Sequence, residues 1–253
     1  MNNSAFRPCI VVPFYNHAHA IARTVDTLRP FGLPCWIVDD GSDASCAPML
    51  DALAAREAAW LHLIRYQPNR GKGVAVMAGC AAAFAEGYTH AAQVDADGQH
   101  DAADIPKLLA LAQSDPQALV TGVPVYDSSV PKGRLYGRYI THFWVWLHTL
   151  SFQIQDSMCG FRVYPLAATL AVWNSEKVGR RMDFDTDIMV RLWWRGTQVL
   201  SLPTRVTYPL DGVSHFDLLR DNLRISWMHT RLFCGMLLRL PGLLRRHISG
   251  RPA

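Results

Sequence analysis

The sequence predicts an α/β protein: a mostly parallel central sheet covered by helices on both faces and followed by a basic amphipathic C-terminal helix. Three observations carry that reading. Short apolar, β-branched runs alternate with segments of helical spacing. The alternation recurs at the rhythm of strand–helix–strand units, which build parallel sheets. Two of the apolar runs end in closely spaced carboxylates, and in such sheets ligands sit beyond the carboxyl ends of the strands.

Pro8 to Tyr15 (PCIVVPFY) reads as a strand, and the spacing of Ile21, Val25 and Leu28 predicts a helix from Ala18 to Leu28. Cys35 to Asp40 (CWIVDD) is a second, buried strand. Ser42 and Asp43 then offer caps to a helix running through Leu53. Trp60 to Tyr66 is a third strand, and Val74 to Phe84 an Ala-rich helix. His90 to Val94 is a fourth strand running into Asp95, followed by a helix around Ile105 to Leu111, and Ala118 to Val125 is a fifth. Beyond residue 126 the pattern loosens into an aromatic-rich segment (FWVWL), a turn (DSMCGFR) and a helix beginning near Asp185. A last strand, Thr197 to Val206, precedes the basic C-terminal segment. No internal repeat or low-complexity tract interrupts this order.

The chain has 253 residues, 50% of them hydrophobic and 18% charged, which suits one compact domain with a substantial core and excludes global disorder. We take residues 1–210 as that domain and 211–253 as a separate basic segment. The net charge of +4 is unevenly spread: from Arg220 to Arg251 the chain carries Arg220, Arg224, Arg231, Arg239, Arg245, Arg246 and Arg251 against the single acid Asp221. Because these arginines alternate with Leu, Ile, Trp and Met, the segment reads as a membrane-surface helix, not a nucleic-acid arm. No nucleic-acid partner is expected. The cysteines are scattered, without zinc spacing, and read as free thiols of a reducing compartment. Met1 to Pro8 is too short and polar for a signal peptide, and Ile140 to Leu150 is too short to cross a bilayer. A cytoplasmic protein, peripheral on the inner face of the membrane, is the expectation.

The candidate chemistry lies at the strand ends. Asp95 and Asp97, in Asp95-Ala96-Asp97-Gly98-Gln99-His100-Asp101, can both reach one hard cation that keeps positions open for phosphate. A turn with a helix-capping Asp is the alternative. Asp39 and Asp40 can accept hydrogen bonds from a nucleobase or a ribose, or again serve as caps. Asn69-Arg70-Gly71-Lys72-Gly73 lacks the spacing of a phosphate-binding P-loop and reads as a tight turn, with Lys72 available to a phosphate.

The order PFYN, VDDGS, NRGKGVA, DADGQHD, DSMCGFRVY and FDTDI resembles the family 2 inverting glycosyltransferases of GT-A fold, particularly the branch that makes dolichyl- or polyprenyl-phosphate sugars. The resemblance covers about Cys9 to Leu200. It implies a GT-A nucleotide-binding domain, a nucleotide-sugar donor (UDP- or GDP-linked) and a lipid-type acceptor such as a polyprenyl phosphate. Asp39 and Asp40 would hold the nucleoside, and Asp95 and Asp97 would hold Mg2+ or Mn2+ against the donor diphosphate. Gln99 stands where relatives use a Gln beside the metal, and His215 in DGVSH is a further candidate ligand. Asp156, Gly160, Phe161 and Arg162 match the turn that borders the acceptor. Asp185 and Asp187 match the acidic pair that supplies the general base, with Asp187 expected to point out of the first helical turn. Arg134, Arg138, Arg162 and Arg180 could position an anionic acceptor. One departure is Asn16-His17, where relatives commonly have Asn-Glu. The competing readings are a hydroxyl acceptor with Asp187 as base, a nucleotidyltransferase, and a non-catalytic nucleotide-sugar-binding protein.

Overall fold

The computed structural model describes residues 5–125, 132–206 and 217–249. Its centre is a seven-stranded sheet of β1 (Pro8–Phe14), β2 (Cys35–Asp40), β3 (Leu61–Tyr66), β4 (His90–Gln93), β5 (Leu119–Val125), β6 (Arg162–Pro165) and β7 (Val199–Arg205), in the order β3-β2-β1-β4-β6-β5-β7. All neighbours run parallel except β6, which lies antiparallel between β4 and β5.

Helices cover both faces, which explains why β1 is buried nearly throughout. Its alternate residues feed two cores. Ile10, Val12 and Phe14 meet α1 (Ala18–Leu28), α2 (Ala47–Arg56) and α4 (Ile105–Ser114). Cys9 and Val11 share the other core with α3 (Lys72–Ala85), α6 (Leu166–Ser175) and α7 (Phe184–Trp194). Behind α7 lie α5 (Lys132–Thr149) and α8 (Leu218–Ser249), the latter adding Met228, Leu232 and Met236 to the same core.

Three expectations change. The turn DSMCGFR runs into β6, a buried four-residue strand too short to show a period, and α6 follows it directly. The aromatic-rich segment is helical: in α5, Tyr136, Tyr139, Ile140 and Phe143 are exposed while Thr141, Val145, His148 and Thr149 are buried, so the large apolar residues lie on the outer side and the usual apolar-inside pattern is turned over. Ser42 and Asp43 do not cap α2 through their side chains; the Ser42 hydroxyl accepts from the Asn16 amide at 3.1 Å.

Candidate functional site

The strand ends gather the acids on one edge of the sheet. At the end of β2, Asp40 accepts from the Arg70 and Gly71 amides at 2.8 and 2.7 Å. Its carboxylate therefore fastens the 69–71 loop, which departs from the nucleoside contact expected of it. Gly71 sits at φ +107°, and a Cβ there would lie 2.3 Å from the Arg180 carbonyl, so only glycine permits the close approach that starts α3. Asp39 accepts from the Ser42 amide and from Arg65 Nε, each at 3.1 Å.

Fixing that loop aims Lys72, the first residue of α3, across the sheet. Its Nζ lies 3.1 Å from Asp95, just beyond β4, and 3.0 Å from Asp185 Oδ2 in the first turn of α7. Burial would lower the pKa of this ammonium, but Asp185 and Asp95 outweigh it and hold the group above its ordinary value. Burial likewise opposes ionisation of Asp95, yet Lys72 and His100 keep its carboxyl well below the usual range. Gln93 Nε2 donates to Asp95 Oδ1 at 3.1 Å and is itself oriented by the Tyr164 hydroxyl, which donates to Gln93 Oε1 at 3.1 Å. His100, stacked on Phe161, closes the other side with Nε2 3.7 Å from Asp95. Sequence reasoning missed Gln93 and Tyr164; the one signal was an amide in the strand two residues before Asp95.

Asp97 accepts from the Gln99 amide at 3.0 Å, and burial together with the Asp95 charge pushes its carboxyl above the ordinary value. Two neighbouring carboxylates, one of them disfavoured as an anion, fit a hard cation that draws its other ligands from phosphate and water. Among the described residues no group of three or more His, Cys, Asp or Glu side chains could hold an ion by itself. His215 and the side chain of Arg134 lie outside the described residues.

On the acceptor side expected from the sequence, Asp156 receives Arg138 Nε at 2.5 Å and Nη2 at 3.0 Å, the Met158 and Cys159 amides at 2.8 Å, and His142 at 3.3 Å. Burial opposes its ionisation, but His142 and Arg138 hold it well below the carboxylate range. Arg138, partly exposed, and the buried Asp156 thus form one ion pair tying α5 to the 156–160 turn. His142 was not singled out from the sequence.

Two candidates are placed differently from the expectation. Arg162 is fully buried and donates to the Asp185 and Ser157 carbonyls, both at 2.5 Å, so it clamps the turn to α7 and presents no charge to an acceptor. Asp187 does not point outward. It is completely buried and bound by Arg191 Nε at 2.5 Å, Arg231 Nη2 at 3.1 Å and the Gly179 amide at 2.7 Å. Two residues along a helix are about 200° apart, so when Asp185 faces Lys72, Asp187 faces away. Of the acidic pair only Asp185 reaches the site, and its buried Oδ1 makes no hydrogen bond to the described residues. Arg180 is exposed, with its carbonyl accepting from the Gly73 amide at 2.9 Å.

Comparison with known proteins agrees with this architecture. The dolichyl-phosphate beta-glucosyltransferase of Drosophila melanogaster is 28% identical over 202 residues, spanning 71% of this chain and 60% of the relative. The undecaprenyl-phosphate mannosyltransferase of Micrococcus luteus is 24% identical over 208 residues, 78% of this chain and 82% of the relative. The mannosyltransferase PcManGT of Pyrobaculum calidifontis, solved with GDP-Man and Mn2+, shares the fold with a TM-score of 0.56 and 16% identity, covering 81% of this chain and 58% of that one. The model of the Glycosyl transferase family 2 matches residues 9–172, from β1 through α6 and including Asp39, Lys72, Asp95 and Asp156, and the chain belongs to that family.

Proposed function

We propose that this family 2 glycosyltransferase moves a sugar from a UDP- or GDP-linked donor to a lipid phosphate at a membrane surface, with inversion at the anomeric carbon. The observation that carries this is the Lys72 ammonium held between Asp95 and Asp185 at the carboxyl end of the sheet. Asp39 holds the nucleoside. Asp95, Asp97 and Gln99 would hold Mg2+ or Mn2+, with His215 as a further ligand; the solved mannosyltransferase with Mn2+ supports a divalent ion. That cation, when bound, neutralises the departing diphosphate. Lys72 then stands beside the same phosphates. A phosphate acceptor is already an anion and needs no base, which agrees with Asp187 being sealed off and Asp185 being paired with Lys72. The relatives named for lipid phosphates support that acceptor class.

The membrane reading rests on two helices. α5 exposes Tyr136, Tyr139, Ile140 and Phe143 on one face, and α8 exposes Leu219, Leu223, Trp227 and Leu238 beside Arg220 and Arg224. No described helix is long and apolar enough to cross a membrane. We take 1–210 as the catalytic unit and 211–253 as the segment that seats it peripherally on the inner face, with the inner side of α8 belonging to the unit's core.

A second reading, a hydroxyl acceptor, is favoured by the unbonded Asp185 Oδ1, which would serve as base in place of Asp187. One assay separates them: UDP-glucose, UDP-GlcNAc and GDP-mannose with a polyprenyl phosphate in anionic vesicles, with Mn2+ or with chelator. Metal-dependent transfer to the lipid, with Asp185→Asn retaining most of its turnover, is expected. Turnover in chelator would remove the metal; an Asp185→Asn loss of about 100-fold or more would point to a hydroxyl.

A further inference from the structure

α8 contributes more than an outer surface. Its arginines read from sequence as one set of headgroup contacts, but three of them turn inward along α7. At the far end of α7, Arg246 donates to the Trp193 and Trp194 carbonyls at 3.2 and 3.0 Å, and the Arg239 guanidinium lies 4.6 Å from the Trp194 ring centroid. These are the cation positions that a helix C-terminus favours. At the near end, Arg231 donates to Asp187 Oδ2 at 3.1 Å and to the Lys177 carbonyl at 2.9 Å.

The near end is the one that touches the site. Asp187 also accepts from the Gly179 amide, and the next residue, Arg180, accepts from the Gly73 amide beside Lys72 at 2.9 Å. Arg181 Nη1 donates to Asn69 Oδ1 at 2.7 Å in the loop that aims Lys72. The 177–181 segment is therefore held from α8 on one side and holds the start of α3 on the other. One turn of α7 carries both signals, with Asp187 facing α8 and Asp185 facing Lys72.

We infer that Arg231 is a positioning residue: by pairing with Asp187 and the Lys177 carbonyl it sets the first turn of α7, and so the Asp185–Lys72 pair, according to how α8 is seated. A completely buried carboxylate is costly without its partners, so the turn settles in its observed place only with α8 docked. This rests on the site reading above. Anything that grips the outer face of α8, a lipid surface in that reading, then acts on turnover through Arg231.

The test compares Arg231→Ala, Arg231→Lys and Lys72→Met in the whole chain, well below each variant's Tm. The assay uses GDP-mannose and UDP-glucose with polyprenyl phosphate and Mn2+, alongside amide hydrogen exchange. Arg231→Ala should lower kcat about tenfold with donor KM nearly unchanged, and speed exchange at residues 71–73 and 184–188. Arg231→Lys, restoring charge but not the two-pronged contact, should recover part of kcat. Should Arg231→Ala not fold, Arg231→Lys carries the test, with an intermediate kcat expected. Wild-type kcat or unchanged exchange at 71–73 in the folded variants overturns the coupling. Wild-type kcat/KM in Lys72→Met would overturn the site reading itself, and the exchange result in the Arg231 variants still decides whether Arg231 reaches Lys72.

Discussion

Lys72 Nζ and Asp185 Oδ2 lie 3.0 Å apart although 113 residues separate them in the chain, and the same ammonium is 3.1 Å from Asp95. A single cation thus answers two carboxylates contributed by two different elements. Replacing it removes the one cation the two acids share, leaving more negative charge where a donor diphosphate would have to approach. Lys72→Met should lower kcat/KM for the nucleotide-sugar by roughly 100-fold or more, the scale of losing one preorganised charge. The far-UV spectrum should stay native, and steady-state kinetics with increasing Mn2+ should show whether the added cation restores part of the loss.

Gly160 makes room for that pair. A Cβ at this position would lie 2.5 Å from Asp95 Oδ2 and 2.7 Å from both Gln93 Nε2 and Lys72 Nζ. Gly160→Ala should therefore displace the cluster, costing about 1–3 kcal/mol of stability and most of the turnover. Thermal unfolding and initial rates measured side by side check it; a native Tm with a native rate would show that the three side chains yield freely.

The seam between α5 and α8 carries a buried pair, His148 Nε2 and His229 Nδ1, 3.1 Å apart. Burial, with His229 adding to it, pushes His148 down to about 3, and burial pushes His229 down to about 4. Both are below the ordinary value of 6.5, so the docked histidines stay neutral while the unfolded ones take up protons. The contribution to stability is thus complete above pH 6.5 and is lost as pH falls toward 4, by up to about 1.4 kcal/mol per pH unit for each histidine. Tm should fall between pH 7 and 5, and His148→Gln should flatten part of that slope. A slope unaltered by the substitution would assign the acid sensitivity to other groups.

The local sequence determined the strands and the identity of the chemistry. β1 and β2 are legible because a strand covered on both faces is apolar through most of its length, and β4 because Ala91, Ala92 and Val94 run into Asp95; the acids that close β2 and follow β4 mark the ligand edge whatever their partners. Elements that break the usual pattern were not legible: β6 opens on Arg162 and closes on Pro165, and α5 carries its large apolar residues on the exposed side. Nor could spacing say which acid of a pair is used. Asp39 and Asp40 are adjacent, yet Asp40 spends its carboxylate on the Arg70 and Gly71 amides. Asp185 and Asp187 share one helical turn, yet only Asp185 meets Lys72 while Asp187 is sealed by Arg191 and Arg231. Those outcomes depend on side chains brought in from far along the chain, and a carboxylate's role is fixed by which cation or amide reaches it first in space. Sequence supplies the acids and bases; only the packing of α3, α7 and α8 against the sheet decides which of them face the site.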